Sequence, residues 1–198
     1  MRNYIYSALF FILLNNSCKA QNPILDIDTP KDNFIGVKGA YYKDTKNVLN
    51  GYDGTYLYTS GNTSLKIKSQ KNIKTSMNNF YYEDLIVGEY QYIENGVEKV
   101  NTLSKLTSTS NNNSISGSLI LTGTEFGCKD CKPDEKRLRL GITSSPNFGE
   151  MDVRKTTVNG KAAILVVFWW TGPIAVKAGD PMPKPAVIKA GTYTMIKQ

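Results

Sequence analysis

Residues 152–170 read DVRKTTVNGKAAILVVFWW and predict two β-strands joined by a tight turn. The Asn159-Gly160 pair supplies the positive φ angles that a type I′ hairpin turn requires at both central positions. Strand-forming residues flank the pair on both sides, which completes the hairpin signal. Because residues 164–170 are apolar on both faces, we expect them to form a central strand of the sheet.

The same signals recur elsewhere in the chain. Residues 89–94 (EYQYIE) are followed by Asn95-Gly96, which predicts a second hairpin. Alternating apolar and polar residues on either side of a turn at 60–63 predict a third. Single strands are predicted at 118–122, 138–142 and 192–196.

Together these segments amount to about eight strands with short turns and almost no helical periodicity. That pattern favours an all-β fold, either a single antiparallel β-barrel of the calycin or lipocalin kind or a β-sandwich. A length of 198 residues suits one domain, and a hydrophobic content of 40% is enough for a packed core. We therefore expect an all-β domain over residues 51–198.

Residues 1–20 predict a signal peptide. Arg2 provides a short basic region, and residues 4–14 (YIYSALFFILL) form an apolar run. This run is shorter than the about 20 apolar residues that a membrane-spanning helix needs. Residues 21–50 mix short apolar pieces with Pro, Gly and Asp, so we expect an irregular N-terminal arm with one short helix near 43–49.

Two processing outcomes remain open at the end of the signal peptide. Cleavage before Cys18, which follows a loose lipobox, leaves a cysteine for lipidation, whereas cleavage after Ala20 frees a soluble protein. Lipidation would attach the protein to a membrane only through its acyl chains. No acidic run follows Cys18, which favours a periplasm-facing location. We expect an exported protein, either a periplasm-facing lipoprotein or a soluble periplasmic or secreted protein.

The charge and the missing histidine exclude several classes of function. Without Arg2 and Lys19 of the signal peptide, the net charge falls from +7 to +5 and is spread along the chain. Nucleic-acid binding needs basic residues clustered on one element, so we expect no nucleic-acid partner. The chain has no histidine, which removes His-based catalysis and most zinc and copper sites.

The remaining charged clusters carry no specific chemistry. The basic residues at 129–139 are diluted by acids and predict a solvated face. The aspartates between 26 and 32 lack the spacing of a calcium loop. Glu83 and Asp84 are adjacent, so on a strand they point to opposite faces and do not form the carboxylate pair of a glycosidase. We therefore expect no catalytic residue, no cofactor and no metal site.

Five stretches carry a resemblance to a known protein family. They are SCKAQ from Ser17, KDTKNVLNGYDGTYLYTSGNTSLKIK from Lys43, YYEDLIVGEYQYIENG from Tyr81, CKDCKPDEKRLRL from Cys128 and GTYTMIKQ from Gly191. Over nearly the whole chain they resemble a family of uncharacterised exported proteins, a domain of unknown function, from flavobacteria. This resemblance implies compartment and origin but no activity or site residue. More loosely, GYDGTY at 51–56 and the series of strands resemble a lipocalin-like barrel, without the Gly-x-Trp usual near its first strand.

Cys128 and Cys131 form the only cysteine pair outside the signal peptide. An oxidising compartment favours a disulfide between them. A thioredoxin-like role needs a helix N-terminus in a βαβ unit, whereas Gly127 and Pro133 bracket a loop here. A zinc site needs four ligands, and no second C-x-x-C is present. We expect a disulfide that serves stability only, with a reduced pair as the other alternative.

Trp169 and Trp170 end the most apolar strand, and Tyr90 and Tyr92 lie on another predicted strand. Adjacent strand residues point to opposite faces, so one tryptophan is expected in the core and the other exposed or at a barrel rim. The exposed one is a candidate stacking platform for a sugar or an apolar ligand. The two tyrosines are further ligand-binding candidates, and packing roles are the alternative for all four residues.

These observations favour a non-enzymatic envelope protein that binds a small apolar or glycan-like ligand. The alternative is a structural or interaction lipoprotein that packs on another envelope protein and has no ligand pocket. A large apolar cavity in the barrel would favour the first function. A filled core with an exposed apolar patch would favour the second.

Overall fold

The computed structural model describes residues 22–31, 36–106, 113–144, 147–173, 179 and 186–198. The strands are β1 (Ile24–Asp26), β2 (Tyr41–Lys43), β3 (Gly54–Ser60), β4 (Thr63–Met77), β5 (Tyr81–Glu94), β6 (Val97–Asn101), β7 (Ile115–Thr122), β8 (Lys136–Ser144), β9 (Asn147–Val158), β10 (Lys161–Pro173) and β11 (Gly191–Lys197). Short 3₁₀ helices lie at Leu49–Tyr52, Leu103–Lys105 and Glu125–Gly127. The described residues contain no α-helix, and no helix among them is long and apolar enough to cross a membrane. The predicted signal peptide, with Cys18, lies outside the described residues.

Eight antiparallel strands close into a barrel in the order β5-β4-β3-β11-β10-β9-β8-β7. Pairing of Ile86 with Gly117 and of Gly88 with Ile115 closes the barrel between β5 and β7. The barrel confirms the all-β prediction and decides between its two forms, since a sandwich would leave two open sheets. Closure also removes the sheet edges that an open sheet of this size would expose.

The predicted hairpins are confirmed at their turns. Asn159 and Gly160 have φ angles of 50° and 74° between β9 and β10, and Asn95 and Gly96 have 52° and 77° between β5 and β6. The β10 strand, apolar on both faces, pairs with β9 on one side and β11 on the other. It is therefore central in the barrel wall, as its composition predicts.

The N-terminal arm is more regular than its sequence predicts. Strands β1 and β2 run parallel to each other, and β2 pairs with the start of β5 through Tyr41 and Tyr82. The short helix expected near residues 43–49 is absent from this part of the structure, where a turn leads into the 3₁₀ helix at Leu49–Tyr52. Asp44 determines where this 3₁₀ helix begins, because its carboxylate accepts hydrogen bonds from the backbone amides of Val48 and Leu49 at 2.8 and 2.9 Å.

The barrel interior is filled by side chains. Inward residues of all eight barrel strands form one apolar cluster, to which the arm adds Ile27, Leu49 and Tyr52. A cavity of about 20 Å³ remains near Ile67 and Val166, which is about the space of one water molecule. The interior is thus not the large apolar cavity that would hold a ligand inside the barrel. A sugar or a lipid chain has no room there.

Candidate functional site

A groove lies on the outside of the barrel wall, across strands β8 to β11. Its floor consists of outward side chains of these strands, and one wall is the loop at residues 123–131, which begins where β7 ends and which we call the disulfide loop. The volume enclosed is about 650 Å³. Sites for small molecules in proteins typically measure about 300–1,000 Å³, so this outer groove has the size of a ligand site.

The strand register brings polar and apolar residues of the floor into rows. Arg139 of β8 lies opposite Asp152 of β9, which lies opposite Val167 of β10. In the next row, Arg137 lies opposite Arg154. Because successive strand residues alternate between faces, these side chains point outward while their neighbours fill the core.

Asp152 is held between two arginines. Arg139 donates from Nε to Oδ1 at 2.7 Å and from Nη2 to Oδ2 at 2.9 Å, and Arg137 donates from Nη1 to Oδ2 at 3.1 Å. The hydrogen bonds to Asp152 are the main cause of a raised pKa of Arg139. Arg137 is 3% exposed and Asp152 8%, so this ion pair lies at the bottom of the groove. The basic face expected to be solvated is therefore partly buried.

Arg137 also fastens the disulfide loop to β8. Its Nη2 donates to the carbonyl oxygens of Gly123 and Glu125. Its Nε is buried and has no hydrogen-bond partner among the described residues. One nitrogen of a buried guanidinium is thus left unsatisfied, a situation that costs free energy in a protein interior.

Two aromatic rings enclose the guanidinium of Arg139. Its Cζ lies 4.3 Å from the ring centroid of Phe126 in the disulfide loop and 5.1 Å from that of Trp169 on β10. Both distances fall within the range of a cation–π interaction. Phe126 is 66% exposed, and Trp169 is half-buried and lines the groove. The groove therefore offers aromatic faces beside fixed charges.

The predicted disulfide between Cys128 and Cys131 is present, with the two Cα atoms 5.6 Å apart. Cys128 lines the groove, and Arg154 Nη1 lies 3.8 Å from Cys131 Sγ. The disulfide thus constrains a wall of the groove, and its expected role in stability stays a prediction.

The charge of the groove is positive. Its lining includes four cationic side chains and two carboxylates, a net charge of +2. The cationic ones are Lys129, Arg137, Arg139 and Arg154, and the carboxylates are Asp130 and Asp152. A concave surface of one sign concentrates ligands of the opposite sign.

The other aromatic candidates lie away from this groove. Trp170 points to the interior side of the wall. Its ring packs edge-on against that of Phe168, with the two ring centroids 4.8 Å apart. Its Nε1 donates a hydrogen bond to the carbonyl oxygen of Ile188 at 2.7 Å. Tyr90 and Tyr92 are each 1% exposed within the filled core. Of the four residues, the structure therefore places only Trp169 on a concave surface among the described residues.

The adjacent carboxylates of Glu83 and Asp84, near the start of β5, are used by the fold. Asp84 accepts hydrogen bonds from the Tyr41 hydroxyl at 2.6 Å and from the amides of Asp44 and Lys74 at 3.0 and 2.9 Å. Burial is the first cause of a raised pKa of Tyr41, and the bond to Asp84 is the second. Glu83 pairs instead with Lys31. Within the described ranges, no cluster of three or more metal-ligating side chains occurs.

Sequence reasoning missed Arg137, Arg139 and Arg154 as site residues. The sequence contained features that could have identified them. Arg137 and Arg139 share one face of a predicted strand, and Arg154 is a charged residue within the predicted hairpin at 152–170. Only the pairing of β8 with β9 brings them together.

Comparison with known proteins adds a family but no activity. A family model described as a family of unknown function (DUF6705) matches residues 1–198. No curated protein and no solved structure matches the chain.

Proposed function

This chain belongs to the DUF6705 family over its whole length, and we propose that it is a non-enzymatic binding protein that holds a glycan-like ligand in the outer groove. The observation that carries the proposal is the position of Trp169. Its ring lines a concave space of about 650 Å³ beside Arg139, while the barrel interior is filled. A ligand of sugar size can therefore reach the Trp169 ring from outside the barrel, whereas the interior has no room for it.

The mixed character of the floor favours a glycan over a purely apolar ligand. A sugar ring has an apolar face of C–H groups and a rim of hydroxyl groups. Trp169 and Val167 provide apolar contact for the first, and Arg154 and Thr192 provide donors or acceptors for the second. Sites of this kind combine aromatic side chains with a few polar groups that fix the orientation of the ligand.

The state of the carboxylates supports binding without catalysis. A glycosidase needs two carboxyl groups about 5–10 Å apart on either side of the scissile bond. In the groove, both carboxylate oxygens of Asp152 accept hydrogen bonds from two arginines, so this group is already used by the floor of the groove. Glu83 and Asp84 are likewise engaged in contacts with the arm.

Calorimetric titration with a panel of neutral and acidic oligosaccharides tests the proposal. Replacement of Trp169 by Ala should weaken binding about fivefold or more, if stacking of a sugar ring contributes about as much as that of a nucleic-acid base, about 1–3 kcal/mol. The matched control is Phe80→Ala, which removes an exposed aromatic ring outside the groove and should leave affinity unchanged. A panel without any binder, or turnover of a glycan that depends on one carboxylate, would reject the proposal.

The second candidate function is that of an interaction protein of the cell envelope. Its supporting observation is the filled barrel together with exposed apolar side chains such as Ile73 and Val97, which are 72% and 57% exposed. In that case cross-linking in intact cells should attach one defined envelope protein to the barrel surface. The oligosaccharide panel would then show no response.

We propose that either function operates outside the cytoplasm, on the basis of the signal peptide that the sequence predicts at residues 1–20. The mature chain then begins at Cys18 with acyl chains or at Gln21 without them. Intact-mass analysis of protein from its native host decides between these forms. An unprocessed Met1 on cytosolic protein would overturn the assignment.

A further inference from the structure

We propose that the ligand of the outer groove is acidic, and that a carboxylate or sulfate of a saccharide binds between Arg137 and Arg154. This inference rests on the proposed function, since it names the chemical class of the ligand for the same groove. It is carried by the balance of charges on the floor and by the way each arginine is engaged.

The first observation is that two guanidinium groups share a single carboxylate. Arg137 and Arg139 both donate to Asp152, which compensates one of the two positive charges. Glu150 lies 3.9 Å from Arg139 and forms a second, longer ion pair with it. Asp152 and Glu150 thus balance Arg137 and Arg139, and the positive charge that remains in the groove lining is carried by Arg154 and Lys129 against Asp130.

The second observation is the direct pairing of Arg137 with Arg154 across strands β8 and β9. Like charges directly opposite each other in a sheet are destabilising. An anion between the two guanidinium groups removes that repulsion.

The third observation is that Arg154 is only weakly engaged. Its Nη1 donates to Cys131 Sγ at 3.8 Å, and sulfur is a weak acceptor. The same atom lies 4.0 Å from Glu135 Oε1, a distance too long for a direct hydrogen bond to oxygen. Its side chain is 27% exposed, so its donors face the groove and solvent. A carboxylate or sulfate matches the planar, bidentate geometry of guanidinium donors. Trp169, on the same floor, then receives the sugar ring that carries the acid.

Calorimetric titration with matched pairs of saccharides tests the inference. The first pair is oligogalacturonate and its methyl ester, in which each carboxylate becomes an uncharged ester, and the second is a sulfated galactan oligosaccharide and its desulfated form. Arg154→Gln is the test variant. Lys161→Gln is the control, because it removes one positive charge from an exposed position outside the groove.

At least one acidic member should bind at least tenfold more tightly than its neutral partner, because a charge-assisted hydrogen bond contributes about 1.5–3 kcal/mol. Arg154→Gln should reduce this preference for the acidic member about tenfold and lower the affinity of the neutral partner by a smaller factor, since Arg154 also contacts the sugar hydroxyls, while the thermal unfolding midpoint stays near that of the wild type. The saccharide pair whose acidic member binds more tightly identifies carboxylate or sulfate as the group recognised.

Three results would overturn the inference in different ways. Equal binding of acidic and neutral partners would reject it and leave the proposed function standing. An equal loss of affinity in Lys161→Gln would reject the defined site in favour of diffuse charge attraction. Absence of binding by all four saccharides would reject the inference and the proposed function together.

Discussion

Trp169 and Trp170 are neighbours in the chain and lie on opposite sides of the barrel wall. The Trp169 ring faces the outer groove, 5.1 Å from the Arg139 guanidinium, whereas Trp170 donates from Nε1 to the Ile188 carbonyl at 2.7 Å on the interior side. The alternation of side chains along a strand separates them in this way. One tryptophan is therefore available to a ligand and the other to the fold.

We expect the two tryptophans to respond differently to truncation. Trp170→Ala should lower the free energy of unfolding by about 3 kcal/mol. This value is at the lower end of the range for truncation of a buried aromatic residue, because Trp170 is only partly buried. Trp169→Ala should change it by less than about 1 kcal/mol. Urea unfolding of both variants measures the difference. Equal losses in the two variants would contradict their assignment to opposite faces of the wall.

The buried ion pair in the groove predicts that Asp152 and Glu150, two acids that contact Arg139, differ in their contribution to stability. Asp152→Asn should destabilise the protein by about 3 kcal/mol or more, because it leaves the buried Arg137 without its carboxylate. Glu150→Gln is the matched control. Glu150 lies 3.9 Å from Arg139 with 33% of its side chain exposed, so its removal should cost less than about 1 kcal/mol. Chemical denaturation compares the two, and a similar cost for both would show that Asp152 is not essential to the floor.

The disulfide has a modest expected effect on stability and a separate one on binding. Replacement of Cys128 and Cys131 by Ser should cost about 2 kcal/mol, since the bond closes a very short loop. Ligand affinity should also fall, because the bond constrains the loop that holds Phe126 beside the floor. Reduction of the wild-type protein is the control and should reproduce both effects. Unchanged affinity in reduced protein would restore a purely stabilising role.

Buried tyrosines predict a loss of stability at alkaline pH. Burial, followed by the neighbouring Tyr92 and Tyr58, raises the pKa of Tyr193 to about 12 from its ordinary value of 10.0, and burial likewise raises the pKa of Tyr52. The unfolded chain releases these protons first, so their contribution to stability is complete below about pH 10 and is lost as the pH rises through the folded-state values.

The free energy of unfolding, measured from pH 8 to 12, should therefore fall at the alkaline end. Near-ultraviolet absorbance, which detects ionised tyrosine, should show a late group of ionisations that coincides with unfolding. Tyr193→Phe should flatten the decline in part, since phenylalanine has no proton to release. A flat profile through pH 11 would contradict the burial of these hydroxyl groups.

The local structure of this protein could be predicted in large part from its sequence. The Asn95-Gly96 and Asn159-Gly160 turns specify their hairpins through backbone conformation, which depends on a few adjacent residues. The apolar stretch of β10 likewise predicted a central strand. By contrast, β1 and β2 were missed, because three-residue strands are too short to show alternation.

Closure and the site depended on contacts between distant residues. No local pattern states that β5 pairs with β7, and that pairing is what converts a series of strands into a barrel. The sequence also could not tell a hollow barrel from a filled one, since the volume of the interior depends on how all eight strands pack together.

The sequence by itself determined which residues alternate across each strand, and hence that Trp169 and Trp170 face opposite ways. Only the tertiary structure decided which of the two lies outside, and that Arg137, Arg139, Asp152 and Arg154 meet beneath the disulfide loop. The reason is physical. Alternation follows from the geometry of one strand, whereas the meeting of charges follows from the register between strands, which the packing of the whole core selects.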